Sequence, residues 1–219
     1  LLATAVLGVY AIKEFGTDEQ KSKYLPLIAN GEITTAVAFD ESSHHDISQT
    51  ELTAIKTGDN FILNGVKKLV VDGSSADILI VLSRTSGSKG EMAGLSLFIL
   101  ESDSDGITRT KLDMADSRNY ANIELNDVTV SSNELLGSQE LGGEAMDHIL
   151  DIGRIALSAE MLGNCEAAFS TTIDYLKERK QFGVLIGTFQ ALQHRAAEMF
   201  CEIELTKSSV MAAMQGADE

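Results

Sequence analysis

One stretch of this chain, residues 145–180, is apolar at helical spacing for about ten turns. A second helical run follows the break at Gly183 and extends from Gly187 to about Met214. Helices of this length bury one face against neighbouring helices, and two alone would leave apolar surface bare. The pattern therefore predicts the opening helices of a bundle, whose partners come from the rest of a longer chain or from another subunit.

A different hydrophobic period governs residues 32–136. Short β-branched or alternating runs are separated by Gly-Asp-Asn, Asn-Gly and Gly-Ser-Lys-Gly turn sequences. Seven or so strands without a helix among them predict an antiparallel barrel or sandwich. The last two runs, residues 119–125 and 128–130, are expected as separate strands.

The residues before Glu32 predict two helices. The first is a buried helix to about Phe15, and the second has Thr17 as its N-cap with Gln20 three residues on. Asn30-Gly31 should end this second helix, and Pro26 is expected to bend it or end it earlier.

Charge and composition exclude several classes of partner. The formal net charge is -16, from 33 acidic and 17 basic residues. Because so acidic a chain cannot neutralise a phosphate backbone, we predict that it does not bind nucleic acid. The apolar start, LLATAVLGVYAIKEFG, has no basic leader and is interrupted by Tyr10 and Lys13, which predicts no membrane insertion. Cys165 and Cys201 lie within apolar helical patterns. We expect buried thiols in a reducing compartment, the cytoplasm.

Several strings, in chain order, resemble the acyl-CoA dehydrogenase family. They include FGTDEQKSKYLPLIANGE, GDNFILNGVKK, GLSLFIL, NDVTVSSNELLG, LDIGRIALSAEMLG and YLKERKQFGVLIGTFQALQHRAAEM, of which ERKQFG followed by FQALQ is specific. The resemblance implies an α+β multidomain fold: the end of an N-terminal helical domain at 1–34, a middle β domain at 35–137, and the start of a C-terminal four-helix bundle at 138–219. Both ends of the sequence are expected to be cuts through a larger chain.

The resemblance also implies an activity. Family members are FAD-dependent: they remove a proton next to a thioester carbonyl of an acyl-CoA and pass the β-hydrogen as hydride to flavin N5. Electron-transfer flavoprotein is the implied electron acceptor, and dimers or tetramers, homo- or hetero-oligomeric, are the implied assemblies.

The flavin-facing half of the implied site has changed residue types. Residues 36–46 match the segment along the flavin ring, where a Thr-Glu-Pro-Gly-Ala-Gly-Ser-Asp type string is usual, and only Asp46 is retained. Phe39 replaces the threonine that hydrogen-bonds the ring, and side chains replace the small turn residues, which restricts close backbone approach. The predicted cofactor contacts in this half are Ala36, Val37, Ala38, Phe39, His45, Leu69, Val70 and Val71.

The helical half of the implied site is closer to the family pattern than the flavin-facing half. Arg179, Gln181, Phe182 and Gln190 match residues that reach a FAD bound mainly by the neighbouring subunit. Asp151 and Arg154, together with His45, match the substrate-binding positions. Most members carry their catalytic glutamate in a part of the bundle that would follow residue 219, and Gly153 occupies the alternative position, so no catalytic residue is predicted in this chain.

Three alternatives stay open on these residues. His44 and His45 read as a surface or phosphate-facing turn, or as a proton-transfer pair; a metal site is not predicted, because no third ligand lies at suitable spacing. Asp151 and Arg154 could be an ordinary surface pair one helical turn apart. The whole chain could be a non-catalytic, half-site subunit that completes a partner's FAD site, or a flavin oxidase of the same fold.

Overall fold

The structure, a computed structural model, describes residues 1–116 and 118–217, and its first part is helical. A helix opens with wide π-type turns at Leu2–Gly8 and continues as α1 (Val9–Phe15); α2 (Asp18–Ala29) follows. The predicted cap of α2 is confirmed, because Thr17 Oγ1 accepts from the backbone N–H of Gln20 at 3.2 Å while Gln20 Oε1 accepts from Thr17 N at 3.0 Å. Pro26 lies inside α2 and does not end it, since its carbonyl still accepts from Asn30 N at 3.0 Å.

Eight strands form one sheet. They are β1 (Thr35–Ala38), β2 (Thr53–Thr57), β3 (Asn60–Val71), β4 (Ile78–Arg84), β5 (Leu95–Glu101), β6 (Ile107–Leu112), β7 (Tyr120–Ser131) and β8 (Leu135–Leu136). The order is β6-β7-β3-β2-β4-β5-β8, with β1 beside β4. The neighbours are antiparallel except that β1 and β2 each pair with β4 in parallel. Single-turn 3₁₀ segments, Ile47–Gln49 and Ser132–Glu134, are the helical pieces described among these strands.

The last two predicted strands are one continuous strand, β7, so their expected separation is wrong. The turn-like Asn126-Asp127 sequence is carried through because Asp127 adopts a left-handed conformation with φ 52°. Its backbone N–H and side chain both bond the Asn64 amide of β3, at 2.9 and 3.0 Å. A non-local contact with β3 thus keeps the strand in the sheet.

The sheet buries both faces. Alternate residues of β1, β4 and β5 point to opposite sides, as the two-residue period of a strand requires. One side joins β2, β3 and β7 in an inner cluster that includes Phe61, Leu63 and Phe98, which means that the sheet folds over on itself. The other side packs against α1, α2 and the first turns of the next helix in an outer cluster that includes Ile12 and Ile80.

Two long helices complete the chain: α3 (Gly142–Glu178) and α4 (Gln190–Ala217), joined by the short strands β9 (Lys180–Gln181) and β10 (Val184–Leu185) and a 3₁₀ turn, Ile186–Thr188. The order of helices, sheet and long helices is the predicted α+β architecture. The chain divides into two compact units, residues 1–152 and residues 153–219. The three predicted domain boundaries stay a prediction, and residues 218 and 219 of the third lie outside the described residues.

The two cysteines differ from the expectation. Cys165 and Cys201 are free and exposed, so their predicted burial is wrong for this chain. Their apolar neighbours lie on the faces of α3 and α4, and two helices leave part of each face uncovered. None of the described helices combines the length and the apolarity that a membrane crossing needs.

Candidate functional site

The predicted ring-facing strand, β1, presents backbone rather than side chains. Ala36 and Ala38 are fully buried in the inner cluster, and Val37 is buried on the opposite face. Within the described residues, β4 is the one strand that pairs with β1. The other edge of β1 has no strand partner; the Thr35 N–H and carbonyl bond Thr4 Oγ1, at 3.0 and 3.1 Å, and the remainder of such an edge can hydrogen-bond a ligand.

The turn after β1 holds Phe39 and His45 together. Their rings meet edge to face with centroids 5.5 Å apart, and His45 Nδ1 lies 2.9 Å from Asp40 Oδ1. Phe39 is half-buried against the outer cluster, whereas the His45 side chain is 47% exposed. The imidazole is thus held from two sides and still faces solvent, where an anionic or carbonyl ligand group can reach it.

The remaining turn residues are accommodated without glycine. Across residues 39–46 no backbone φ is positive, so Ser42, Ser43 and His44 carry their side chains without left-handed strain. Asp46, the retained residue, caps the following 3₁₀ turn by accepting from Ser48 N at 3.0 Å and from Ser48 Oγ at 2.6 Å. The hydrogen bond from the Ser48 side chain lowers the pKa of Asp46 below its ordinary value.

A buried ion pair lies under this turn. Lys67 of β3 has no solvent exposure, and its Nζ donates to Glu41 Oε1 at 2.7 Å and to the Phe39 carbonyl at 3.0 Å. Glu41 also accepts from the backbone N–H groups of Glu51 (2.7 Å) and Leu52 (3.0 Å). Burial lowers the pKa of Lys67 to about 8, against the opposing effect of Glu41.

Sequence reasoning missed this pair, although β3 contains a signal. Lys67 is in phase with Phe61 and Leu63 on the core-facing side of the strand, where a lysine requires a buried partner. The identity of that partner could not be inferred, because Glu41 is distant in sequence and belongs to the turn after another strand.

The second predicted flavin stretch forms a bulge at the end of β3. The pairing of β3 with β7 shifts between Lys67 and Val70, and Leu69 adopts a left-handed φ of 53°. Leu69 is 41% exposed and its N–H donates to Asn122 Oδ1 at 3.2 Å, while Val70 turns into the core and Val71 is half-buried. The bulge therefore turns one apolar side chain outward.

The predicted helical-half residues gather at the hairpin between α3 and α4. Arg179 directly follows α3 and its carbonyl accepts from Ile186 N at 2.9 Å; Gln181 lies in β9 and Gln190 opens α4. Phe182 forms the tip, with φ 52° and 91% of its surface exposed. Its ring is 6.2 Å from that of Phe189, edge to face.

The predicted substrate residues of the long helix lie one turn apart. Asp151 and Arg154 are both exposed on α3, with Gly153 between them. In the second unit, Arg154 lies at one end of an apolar groove between α3 and α4 that Ile155, Met161 and Val210 also line. The described residues contain no cluster of three or more histidine, cysteine or acidic side chains that could hold a metal ion.

Family models cover most of the sequence. Residues 1–32 match the acyl-CoA dehydrogenase N-terminal domain, residues 39–128 the middle domain, and residues 142–219 the C-terminal domain. The chain belongs to the acyl-CoA dehydrogenase family. The resemblance read from the sequence strings is confirmed.

Individual relatives agree. The chain is 35% identical over 216 residues to the probable acyl-CoA dehydrogenase YngJ of Bacillus subtilis (strain 168), covering 96% of this chain and 57% of that relative. Butyryl-CoA dehydrogenase from Megasphaera elsdenii superposes with a TM-score of 0.92 at 33% identity, covering 99% of this chain and 58% of that structure. An FAD complex of PigA superposes with a TM-score of 0.90 at 26% identity, covering 98% and 58%. The chain thus spans little more than half the length of these relatives.

Proposed function

We propose that the protein is a FAD-dependent acyl-CoA dehydrogenase, which removes the α-proton and the β-hydride of an acyl-CoA thioester. Membership of the family supports the proposal, as do the names of relatives such as butyryl-CoA dehydrogenase and the FAD complex of PigA. The observation that carries it is that the predicted ring-facing segment, residues 36–46, is bonded to Lys67 and Lys68, directly before the second predicted stretch, residues 69–71.

The residues at this edge fit a flavin. An isoalloxazine ring needs backbone or side-chain hydrogen-bond partners along its polar edge and apolar contacts on its faces. The edge of β1 without a strand partner offers the former, and the exposed Leu69 and the half-buried Phe39 offer apolar surface for the latter. When bound, FAD supplies the hydride acceptor; the protein orients it and excludes water.

The hairpin supplies a second set of contacts in the proposal. Arg179 and Gln190 would hold the cofactor's polar portion in a neighbouring subunit, and Phe182 would cover it. A guanidinium forks to pyrophosphate oxygens, and an aromatic ring that is 91% exposed in the isolated chain has surface to lose on assembly. A dimer or tetramer follows from this arrangement, with electron-transfer flavoprotein as the proposed electron acceptor.

The substrate's thioester arm and CoA portion are assigned to Asp151, Arg154 and His45. A carboxylate accepts from hydroxyl or amide groups of the arm, and the arginine and the histidine can donate to carbonyl or phosphate oxygens. Gly153 has no side chain that could take a proton, so no proton-abstracting base is assigned among these residues. The cytoplasmic location expected from the sequence stays a prediction.

The second candidate is a half-site subunit that lends Arg179 and Gln190 to a partner while its own pocket stays empty. Residue types that differ from the usual family pattern favour it: Phe39 and Val71 stand in place of threonine, Leu69 in place of an aromatic residue, and His44 and His45 in place of a small residue and a serine. One experiment separates the two: the flavin content per protomer of the full-length protein, followed by anaerobic addition of acyl-CoA substrates of several lengths. One FAD per protomer that loses its absorbance with an acyl-CoA supports the dehydrogenase. A protein that neither takes up FAD nor shows flavin bleaching with any acyl-CoA contradicts the dehydrogenase proposal.

A control tests the substrate assignment. Arg154→Ala should raise the acyl-CoA concentration needed for half-maximal bleaching by about tenfold or more, because a charge-assisted contact is lost. Arg195→Ala, which removes a cation from α4 that no role is assigned to, should leave that concentration within about twofold.

A further inference from the structure

Three consecutive residues after β1 are fastened to the neighbouring strands. The Phe39 carbonyl accepts from Lys67 Nζ at 3.0 Å, the Asp40 carbonyl from Lys68 N at 2.7 Å, and the Glu41 carboxylate from Lys67 Nζ at 2.7 Å. Two of these three attachments use one side chain, that of Lys67. The chain leaving β1 is therefore fixed in place before the exposed part of the turn begins.

Glu41 completes the attachment on its other side. Its carboxylate accepts from the backbone N–H groups of Glu51 and Leu52, just ahead of β2. The two carboxylate oxygens thus receive three donors, and Lys67 has no solvent exposure while Glu41 has 14%. The Lys67 bonds are shielded from water by the full burial of the lysine, whereas the bond from the Glu51 N–H is exposed.

The pair lies between the two stretches assigned to the flavin. On one side, the attached residues belong to the predicted ring-facing segment that includes Phe39 and His45. On the other side, Lys67 is two residues before Leu69, where the bulge begins and the left-handed backbone turns the leucine outward. A change at the pair would alter the position of one stretch relative to the other.

We propose that Lys67 and Glu41 are positioning residues for the flavin: their ion pair sets the geometry of the Phe39–His45 turn relative to the Leu69–Val71 bulge. The inference rests on the proposed FAD site and deepens it, since neither side chain is assigned a contact with the cofactor. Both act through the backbone that they hold.

The chemistry of the pair supports a geometric role over a purely stabilising one. A buried ion pair contributes little net stability, because desolvation of both charges offsets their attraction, and an apolar side chain of similar size would fill the same space. An apolar residue at position 67 could not bond the Phe39 carbonyl or Glu41. The lysine instead makes directional hydrogen bonds, one to the Phe39 carbonyl and one to the Glu41 carboxylate.

The test compares Lys67→Met, Glu41→Gln and the double variant in the full-length protein. Lys67→Met keeps an unbranched chain of similar length without donors. Glu41→Gln keeps the shape but turns an NH₂ group toward a backbone N–H or toward the ammonium. The control is Lys89→Met, which breaks the half-exposed Lys89–Glu51 side-chain pair (2.8 Å) in the same unit and leaves the backbone bond from Glu51 N–H to Glu41 in place.

Two readouts are needed. The first is FAD affinity together with the visible circular dichroism of the bound flavin, a signal that reports the asymmetry of the ring's surroundings. We expect each single variant to weaken FAD binding by about tenfold or more and to change the dichroism. The double variant should bind FAD no more weakly than the single variants, because the pair acts as a unit. The control should bind FAD within about twofold of the wild type. Wild-type-like affinity and dichroism in both single variants overturn the proposal.

The second readout, amide hydrogen exchange without flavin, separates this inference from the proposed function. Exchange at Glu51, Leu52 and Lys68 should accelerate about tenfold or more in Glu41→Gln or Lys67→Met relative to Lys89→Met, because these amides bond the attached turn. Unchanged exchange overturns the proposal even if flavin binds. A wild-type protein that takes up no FAD contradicts the proposed function, and the exchange rates still decide whether the pair holds the turn.

Discussion

The Lys67 ammonium lies 2.7 Å from Glu41 Oε1, in a place where the lysine has no solvent exposure. Burial lowers its pKa from 10.5 to about 8; Glu41 and Asp40 oppose the shift and Arg84 adds to it. In the unfolded chain the lysine returns to its ordinary pKa. Between pH 8 and 10.5 the unfolded state therefore binds more protons, and the free energy of unfolding rises with pH.

This gives a prediction for Lys67→Met. From pH 7 to pH 9.5 the lysine should add about 2 kcal/mol to the free energy of unfolding of the wild type, and the variant should lack this increment. Urea denaturation of both proteins at the two pH values measures it, and other titrating groups cancel in the comparison. A wild type that gains no stability relative to the variant as pH rises would show that Lys67 titrates normally.

The cap of α2 should contribute measurable stability. Thr17→Ala removes the acceptor of the Gln20 N–H, and we expect the free energy of unfolding to fall by about 1 kcal/mol. Ser22→Ala, at an exposed position of the same helix, is the control and should change stability by less than about 0.5 kcal/mol. Denaturant midpoints of the three proteins decide it; equal midpoints for Thr17→Ala and wild type would mean that the cap is not formed.

The features that sequence predicted correctly are local ones. Thr17 and Gln20 interact within one helical turn, and the break at Gly183 coincides with a hairpin tip, so neighbouring residues contain the information. Non-local pairing was not predictable: β1 lies parallel to β4, and Asn64 bonds Asp127, each across a long stretch of chain. The Lys67–Glu41 pair belongs to the same class, since its lysine is visible in the strand pattern but its partner is not.

The predicted burial of residues on the long helices was wrong for a related reason. The apolar spacing around Cys165 and Cys201 shows which helix face avoids water, but it does not show what covers that face. In the isolated chain α3 and α4 leave both thiols exposed. The same limit applies to Phe182, whose exposure gains meaning only through the proposed neighbouring subunit.

The start of α3 should tolerate no added methyl group. An added Cβ at Gly142 would lie 2.5 Å from Ser96 Cα and 2.8 Å from Leu97 N, both backbone atoms of β5 that cannot move alone. We expect Gly142→Ala to lower the free energy of unfolding by about 1–3 kcal/mol. Gly163→Ala, later in the same helix and with no atom within 4 Å of the new Cβ, should gain about 0.5–1 kcal/mol from helix propensity. Denaturation curves that shift the two variants in the same direction would contradict the close approach.

The hairpin tip offers a test of function in which stability and binding should change in different directions. Phe182 and Gly183 have φ of 52° and 80° and form a two-residue turn between β9 and β10, of the type that favours Asn-Gly. A left-handed phenylalanine costs about 1 kcal/mol, which asparagine largely avoids. Phe182→Asn should therefore melt no lower than the wild type, yet bind FAD at least about fivefold more weakly, because the ring that covers the neighbour's cofactor is gone.

Phe182→Tyr keeps the ring and should bind FAD like the wild type. Phe182→Asn with wild-type affinity would remove Phe182 from the proposed site, whereas loss of stability without loss of affinity would show that the ring serves the hairpin alone.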